Sequence, residues 1–233
     1  MSAEPQNIAI IGASGAIGSA FAKLLLGKYP NAGLHAFSRN GESHIDYSRE
    51  ESFAAAADAA SKDKPLDMVI VTNGMLHDGG IMPEKSFREL SAEKFQRVFE
   101  VNTITPALVA KYFLPKLNKS RPSRFAALSA RVGSISDNRL GGWYAYRASK
   151  AALNMIIKNA AIEIRRRNRQ AVIVGLHPGT VDGNLSKPFQ GNVPDGKLFT
   201  PEYSAQKLLC VLENLTPDHS GKCFAWDGQE ILP

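Results

Sequence analysis

Cysteine is scarce in this chain. Cys210 and Cys223 are too few for a disulfide framework and offer no CxxC metal site, so no metal centre is expected and a reducing cytoplasm is the expected setting. Long apolar runs are missing too: none approaches the ~20 residues of a membrane helix, which argues against a membrane partner. The opening stretch Met1 to Asn7 is polar, contains Glu4, and lacks the basic start and apolar core of a signal peptide. Acidic residues are in deficit, 22 against 28 Lys and Arg, for a net charge of +6. Such an excess attracts anions, whether a phosphorylated cofactor or a nucleic acid. The sharpest basic cluster, Arg165, Arg166, Arg167 and Arg169, has no interleaved aromatics and falls at the end of a helical pattern, where cations complement the helix dipole. Nucleic acid is therefore not an expected partner. Internal repeats, linkers and low-complexity segments are also lacking.

What is present is ordinary globular composition, 44% apolar and 21% charged over 233 residues. That length buries one good core and is short for two full domains, so a single domain over residues 1–233 is expected. Strand-like and helical patterns alternate along it. Strands are predicted at Asn7–Ile11, Leu34–Phe37, His44–Asp46, Met68–Val71, Phe125–Leu128, Ala171–Leu176 and Lys222–Trp226. Helical patterns run over Phe21–Leu26 with Gly27 as a stop, over Ser52–Ala60, from a Ser91 cap to Leu117, from Tyr144 to about Arg166, and from Thr200-Pro201 to Leu212. Pro178 to Lys197 is rich in Gly and Pro and reads as a loop. Strict β/α alternation implies a parallel sheet with helices on both faces.

The first strand leads into Gly12-Ala13-Ser14-Gly15-Ala16-Ile17-Gly18, and a helix follows. Glycines there allow a tight turn and close backbone approach to a pyrophosphate, which the helix N-terminus attracts. About 20 residues on, an NAD site should place an acid at the end of the second strand. The segment instead reads Phe37-Ser38-Arg39-Asn40, with no acid, a fixed cation and a neighbouring hydroxyl. A guanidinium fork suits a 2′-phosphate, which favours NADP(H) over NAD(H).

Tyr146 and Lys150 are spaced i, i+4 and share a helix face. A phenol near pKa ~10 exchanges protons poorly at neutral pH unless a cation favours the phenolate, and a lysine one turn away can supply that. Together with Thr72-Asn73-Gly74, Asn102, Pro178-Gly179 and Asp227-Gly228, this pair gives the chain a resemblance to the short-chain dehydrogenase/reductase family over nearly its whole length. Val132-Gly133-Ser134-Ile135 and Gly141-Gly142-Trp143-Tyr144-Ala145-Tyr146-Arg147 resemble the sniffer-type carbonyl reductase and C-factor subgroup.

The resemblance implies a Rossmann-type doubly wound sheet in a three-layer α/β/α domain. It implies hydride transfer between NADP(H) and a small carbonyl or alcohol, with Tyr146 as general acid/base and Lys150 both assisting it and holding the nicotinamide ribose. Asn102 would help hold a water that relays protons to Lys150. Pro106, four residues later and lacking an N–H, would leave the Asn102 carbonyl free for that water inside a helix. Asp46 matches an acid that bonds the adenine amino group, Asn73 and Gly74 a close approach to the cofactor, and Pro178, Gly179 and Thr180 the loop that meets the nicotinamide amide. Substrate loops are expected at about 75–90 and 178–200, with His77, Met82, Trp143 and Phe189 as candidate contacts. The helices around Phe95 and Ile156 often form interfaces in the family, which implies a homodimer or homotetramer.

Three departures stand out. Asn73 replaces a usual alanine, and Ala16 stands where the turn usually carries glycine. Relatives often end the fifth strand with two serines, the second polarising the substrate carbonyl, but here the pair reads Ser129-Ala130. Either Ser129 takes that role, Ser134 reaches in from the next turn, or the hydrogen bond is absent. The alternative reading of the whole chain is therefore a weakly catalytic or non-catalytic cofactor-binding protein of signalling or regulatory type.

Overall fold

The computed structural model describes residues 4–41 and 43–233, so Met1 to Ala3 of the polar opening stretch lie outside the described residues. Strands β1 (Asn7–Ile11), β2 (Gly33–Phe37), β3 (Met68–Val71), β4 (Ser123–Leu128), β5 (Ala171–His177), β8 (Cys223–Ala225) and β9 (Glu230–Ile231) form a sheet in the order β2-β1-β3-β4-β5-β8-β9. All neighbours pair in parallel except β8 and β9. The chain order reverses between β1 and β3, which opens a crevice at the carboxyl ends of these strands.

Alternate residues of each central strand bury on opposite faces, as a doubly covered sheet requires. Ala9, Ile11, Val69, Val71, Phe125 and Ile173 join Phe53 of α2 (Glu50–Ser61), Phe113 of α4 (Thr105–Phe113) and Leu153 of α5 (Tyr144–Arg165). Ile8, Ile10, Met68, Ile70, Val172 and Val174 join Phe21 of α1 (Ala16–Lys28) and Leu208 of α6 (Pro201–Asn214). Phe21, Phe53 and Phe113 are fully buried, each stabilising the fold by about 1.5–3 kcal/mol. The result is a three-layer Rossmann-like α/β domain.

Several elements differ from the sequence expectation, each for a local reason. Helix α1 begins at Ala16, directly after the glycine turn, and passes through Gly27. It ends where Pro30 forces Tyr29 out of helical geometry (φ −126°, ψ 66°). His44–Asp46 is not a strand. A lone bridge joins Ser38 to His44, and Asp46 turns to accept the Ser48 N–H, which ends any ladder. The helix expected from Ser91 to Leu117 has its Ser91 cap, accepting from Lys94 N–H, but is not uniform. After α3 (Ala92–Phe99) comes a wider π turn, Glu100–Ile104, then α4 and a 3₁₀ turn, Leu114–Lys116. Both the Thr105 N–H and Oγ1 donate to the Glu100 carbonyl, five residues back, immediately before Pro106 interrupts the donor series.

The loop expected from Pro178 to Lys197 contains β6 (Thr180–Val181), which pairs with β7 (Leu198–Phe199), and a 3₁₀ segment Lys187–Asn192. The closing strand becomes a hairpin, because Asp227-Gly228 turns the chain back so that β9 caps the edge antiparallel. Among the described residues no helix is long and apolar enough to cross a membrane.

Candidate active site

Gly12 ends β1 in the left-handed region (φ +87°), and its N–H and that of Ala13 both donate to the Phe37 carbonyl at 3.0 Å. A Cβ on Gly12 would meet Thr72 Oγ1 at 2.8 Å and Asn73 N at 2.9 Å, and one on Gly18 would run into the Gly12 carbonyl. These two positions require glycine. Gly15, the extended N-cap of α1, has more room, and Ala16 at the helix start places its methyl against Gly183. Ser14, Gly15 and Ala16 are exposed, and α1 has neither a side-chain cap nor an acid in its first turn. Its free N–H groups and dipole therefore face the crevice unopposed.

That crevice is a cleft of about 650 Å³ whose lining includes Gly12, Gly15, Arg39, Asp46, Asn73 and Gly74. Arg39 is exposed at its edge and Ser38 is buried beneath. Asp46 Oδ1 accepts from both Ser48 N–H and Oγ–H, which hold its carboxyl below the usual range. Asn73 donates through Nδ2 to the Val101 carbonyl (2.6 Å), and its buried Oδ1 has no partner among the described residues. Ile17, Gly18 and Pro178 to Thr180 lie outside the lining. Gly179 sits beyond β5 at φ +76°, where a Cβ would strike Phe199.

Tyr146 and Lys150 are both buried on the first turns of α5. Lys150 Nζ lies 5.8 Å from the Tyr146 ring centroid and donates to the Leu128 carbonyl at 2.8 Å. Burial pushes Tyr146 up to about 12 and Lys150 down to about 8, because each disfavours charge in a dry setting. A Cβ on Gly74 would stand 3.8 Å from Lys150 Nζ, so Lys150 lies behind that lining residue, while neither Tyr146 nor Lys150 lines the cleft itself. Asn102 is fully buried, and its amide is used completely: Oδ1 accepts from Met75 N–H (2.8 Å), and Nδ2 donates to the Met75 carbonyl (2.8 Å) and Ser149 Oγ (3.1 Å).

Both candidate serines have partners of their own. Ser129 Oγ donates to Asn154 Oδ1 at 2.6 Å, on the face of the chain opposite Ala130. Ala130 packs in one cluster with Leu76 and Tyr146. Ser134 is buried in its own turn, where its Oγ accepts from Asp137 N–H and meets Ser136 Oγ. Neither hydroxyl has a hydrogen bond to Tyr146 among the described residues. The reason is strand alternation, which gives the position beside Tyr146 to a methyl group.

Above Tyr146 stands an aromatic wall. Trp143, left-handed at φ +50°, has its ring 6.2 Å from Tyr146 and 5.1 Å from Phe189, and His77 lies 5.9 Å from Phe189. Met82 is half exposed and outside this cluster. Sequence reasoning missed Glu84, a buried carboxylate whose Oε2 accepts from Ala145 N–H (3.2 Å) at the start of α5. It also missed Tyr47, whose buried hydroxyl has no hydrogen-bond partner among the described residues, and His177, which burial pushes down to about 4. Tyr47 directly follows Asp46, but no spacing rule singles out a tyrosine there.

The family model for short chain dehydrogenases matches residues 6–193, a span that contains the glycine turn and the Tyr146–Lys150 pair. The chain belongs to the short-chain dehydrogenase family. It is 33% identical over 201 residues to 1-hydroxy-2-glutathionyl-2-methyl-3-butene dehydrogenase of Rhodococcus sp. (strain AD45), covering 86% of this chain and 83% of that one. It is 36% identical over 135 residues to C-signal of Myxococcus xanthus, covering 58% of this chain and 76% of that one. In fold it is similar to the carbonyl reductase Sniffer of D. melanogaster, with a TM-score of 0.82 at 21% identity over 99% of this chain and 100% of that one. An NADPH-bound carbonyl reductase from chicken fatty liver superimposes with a TM-score of 0.81 at 24% identity, over 100% of this chain and 96% of that one. Among short-chain dehydrogenases, then, this chain carries alanine beside its tyrosine.

Proposed function

We propose that this chain is an NADP(H)-dependent oxidoreductase that moves hydride between the nicotinamide and a small carbonyl or alcohol, with Tyr146 as general acid/base. The observation that carries this reading is the joint burial of Tyr146 and Lys150, with Lys150 Nζ close behind the cleft residue Gly74. The residues present fit a dinucleotide. The cradle at Gly12 admits no Cβ, the uncapped start of α1 suits a pyrophosphate, and the buried Asn73 Oδ1 awaits a donor. Ser38 and Arg39 would hold a 2′-phosphate, Asp46 the adenine amino group, and Pro178, Gly179 and Thr180 the nicotinamide amide.

When bound, the nicotinamide supplies or accepts the hydride. The chain's own work is to place a proton. With a pKa near 12, Tyr146 holds its proton at neutral pH and can donate it to a carbonyl oxygen. The charge left on the phenolate is then favoured by Lys150, one helical turn away. Asn102 keeps the Met75 backbone against α5, so that the substrate side of the cleft has a fixed floor. Trp143 and Phe189 exclude water above the phenol. The Rhodococcus relative's name describes a dehydrogenase of a hydroxy compound, which supports carbonyl/alcohol chemistry here.

Replacing Tyr146 by Phe should lower turnover of a responsive carbonyl by at least about 100-fold. NADPH affinity, read by fluorescence titration, should stay within about twofold. A Tyr146→Phe protein with unchanged turnover would overturn the mechanism.

The methyl of Ala130 beside Tyr146 favours a second reading, a cofactor-binding protein with little turnover that serves signalling, in keeping with the likeness to C-signal. A panel of aldehydes, ketones and quinones with NADPH separates the two. Tight NADPH binding with no turnover of any member supports the second.

A further inference from the structure

Tyr47 follows the lone bridge after β2, and its ring is stacked on Phe53, with centroids 6.0 Å apart and planes 25° from parallel. The ring is packed against the core cluster between the sheet and α2, so its direction is set by packing. A phenylalanine would satisfy that packing equally well. The hydroxyl is what lacks an explanation: it is buried, and among the described residues no group accepts its proton, although the Gly12 backbone acts on its oxygen. An unpaired buried hydroxyl typically costs about 1–3 kcal/mol, so a partner that arrives later is the economical account. Tyr47 also lines the cleft, together with Gly12, Arg39, Asp46 and Ser48. Burial pushes its pKa up to about 12, while the Arg39 charge and the Gly12 backbone act in the opposite sense. The hydroxyl therefore keeps its proton at neutral pH, on a residue that lines the cleft.

We propose that Tyr47 is a cofactor-specificity residue whose hydroxyl donates a hydrogen bond to the 2′-phosphate of NADP(H), beside Arg39. This assignment rests on the cofactor reading above. A 2′-phosphate offers only acceptor oxygens, so it needs cations and neutral donors. The chain supplies a guanidinium from Arg39 and a proton-bearing phenol from Tyr47 at one end of the cleft. A ribose 2′-hydroxyl could also accept from the phenol, but a bond to a charged acceptor is roughly twice as strong. The residue should therefore discriminate between the two dinucleotides.

The test uses the full chain with Tyr47→Phe, titrated with NADPH and NADH, and then with adenosine 2′-monophosphate and adenosine 5′-monophosphate. The expected result is about tenfold weaker binding of NADPH and of the 2′-monophosphate, with NADH and the 5′-monophosphate within about twofold. Retained NADH affinity also shows that the variant is folded. Unchanged NADPH affinity overturns the proposal. So does an equal loss for both dinucleotides, which would assign the effect to ring packing. If the unaltered protein does not bind NADPH, the cofactor reading itself fails; if it binds and the variant binds as well, only the Tyr47 assignment does.

Discussion

Ser129 and Ala130 are neighbours with opposite fates. The Ser129 hydroxyl is bonded to Asn154 at 2.6 Å, and the Ala130 methyl packs with Tyr146 and Leu76. The missing oxygen matters because a preorganised donor at a developing oxyanion is worth about 2.7–4 kcal/mol in hydrolytic enzymes. Here the Ser129 hydroxyl is bonded to Asn154 and the Ser134 hydroxyl lies in its own turn. Introducing the hydroxyl with Ala130→Ser should raise kcat/KM for a carbonyl substrate by about tenfold, a modest share of that range because the new side chain must find its rotamer in a packed cluster. Removing the other with Ser129→Ala should leave kcat within about twofold and lower stability by about 1 kcal/mol. Steady-state kinetics and urea denaturation check the pair. A large loss of kcat in Ser129→Ala, with no gain in Ala130→Ser, would return the donor role to Ser129.

At the scale of elements, the π turn between α3 and α4 does more than interrupt a helix. It buries Asn102 fully against the loop after β3, where the amide closes a two-way bond with the Met75 backbone and reaches Ser149 on α5. Three segments thus converge on one side chain, next to Gly74 and Lys150. Asn102→Ala would leave the Met75 N–H and C=O buried and unpaired. It should lower unfolding stability by about 2–4 kcal/mol and weaken cofactor binding through the loosened Asn73-Gly74 backbone. A denaturant midpoint that moves by less than the equivalent of about 0.5 kcal/mol would show that the loop is held by other contacts. Glu84 has a comparable place at the start of α5, where its carboxylate accepts from Ala145 N–H and complements the helix dipole.

The molecule as a whole carries a pH liability at the end of β5. The His177 ring is pushed from the usual 6.5 to about 4, first by burial, then by the charge of Arg131, with Asp227 opposing; its buried Nδ1 has no partner. Between those two values the unfolded chain binds a proton that the folded chain refuses. Stability therefore falls as pH drops from 6.5 toward 4, and this contribution levels off below 4. The difference, at about 1.4 kcal/mol per pH unit, is on the order of 3 kcal/mol. Thermal melts from pH 7 to 4 should show the loss, and His177→Gln should flatten that portion of the profile. An identical profile in the variant would place the acid sensitivity elsewhere.

Much of this was legible in the chain itself, because it depends on short-range physics. Gly12 and Gly18 follow from backbone sterics within one turn, and the structure gives each a clash that any Cβ would cause. Tyr146 and Lys150 share a face because helical spacing puts them there, and the two-sided burial of β1, β3 and β4 follows from continuous apolar runs. Ser91 and Thr200 cap their helices by local hydrogen bonds, and so were readable. What only the tertiary structure decided depends on partners far away in sequence. His44–Asp46 has strand-like residues but lacks a ladder long enough to hold it. Which of Ser129 and Ala130 meets Tyr146 depends on the register between β4 and α5. Tyr47 comes to line one cleft with Gly12 and Arg39 only because the fold brings the ends of β1 and β2 together beside it. Spacing along a chain determines which side chains share a face; only packing determines what that face meets.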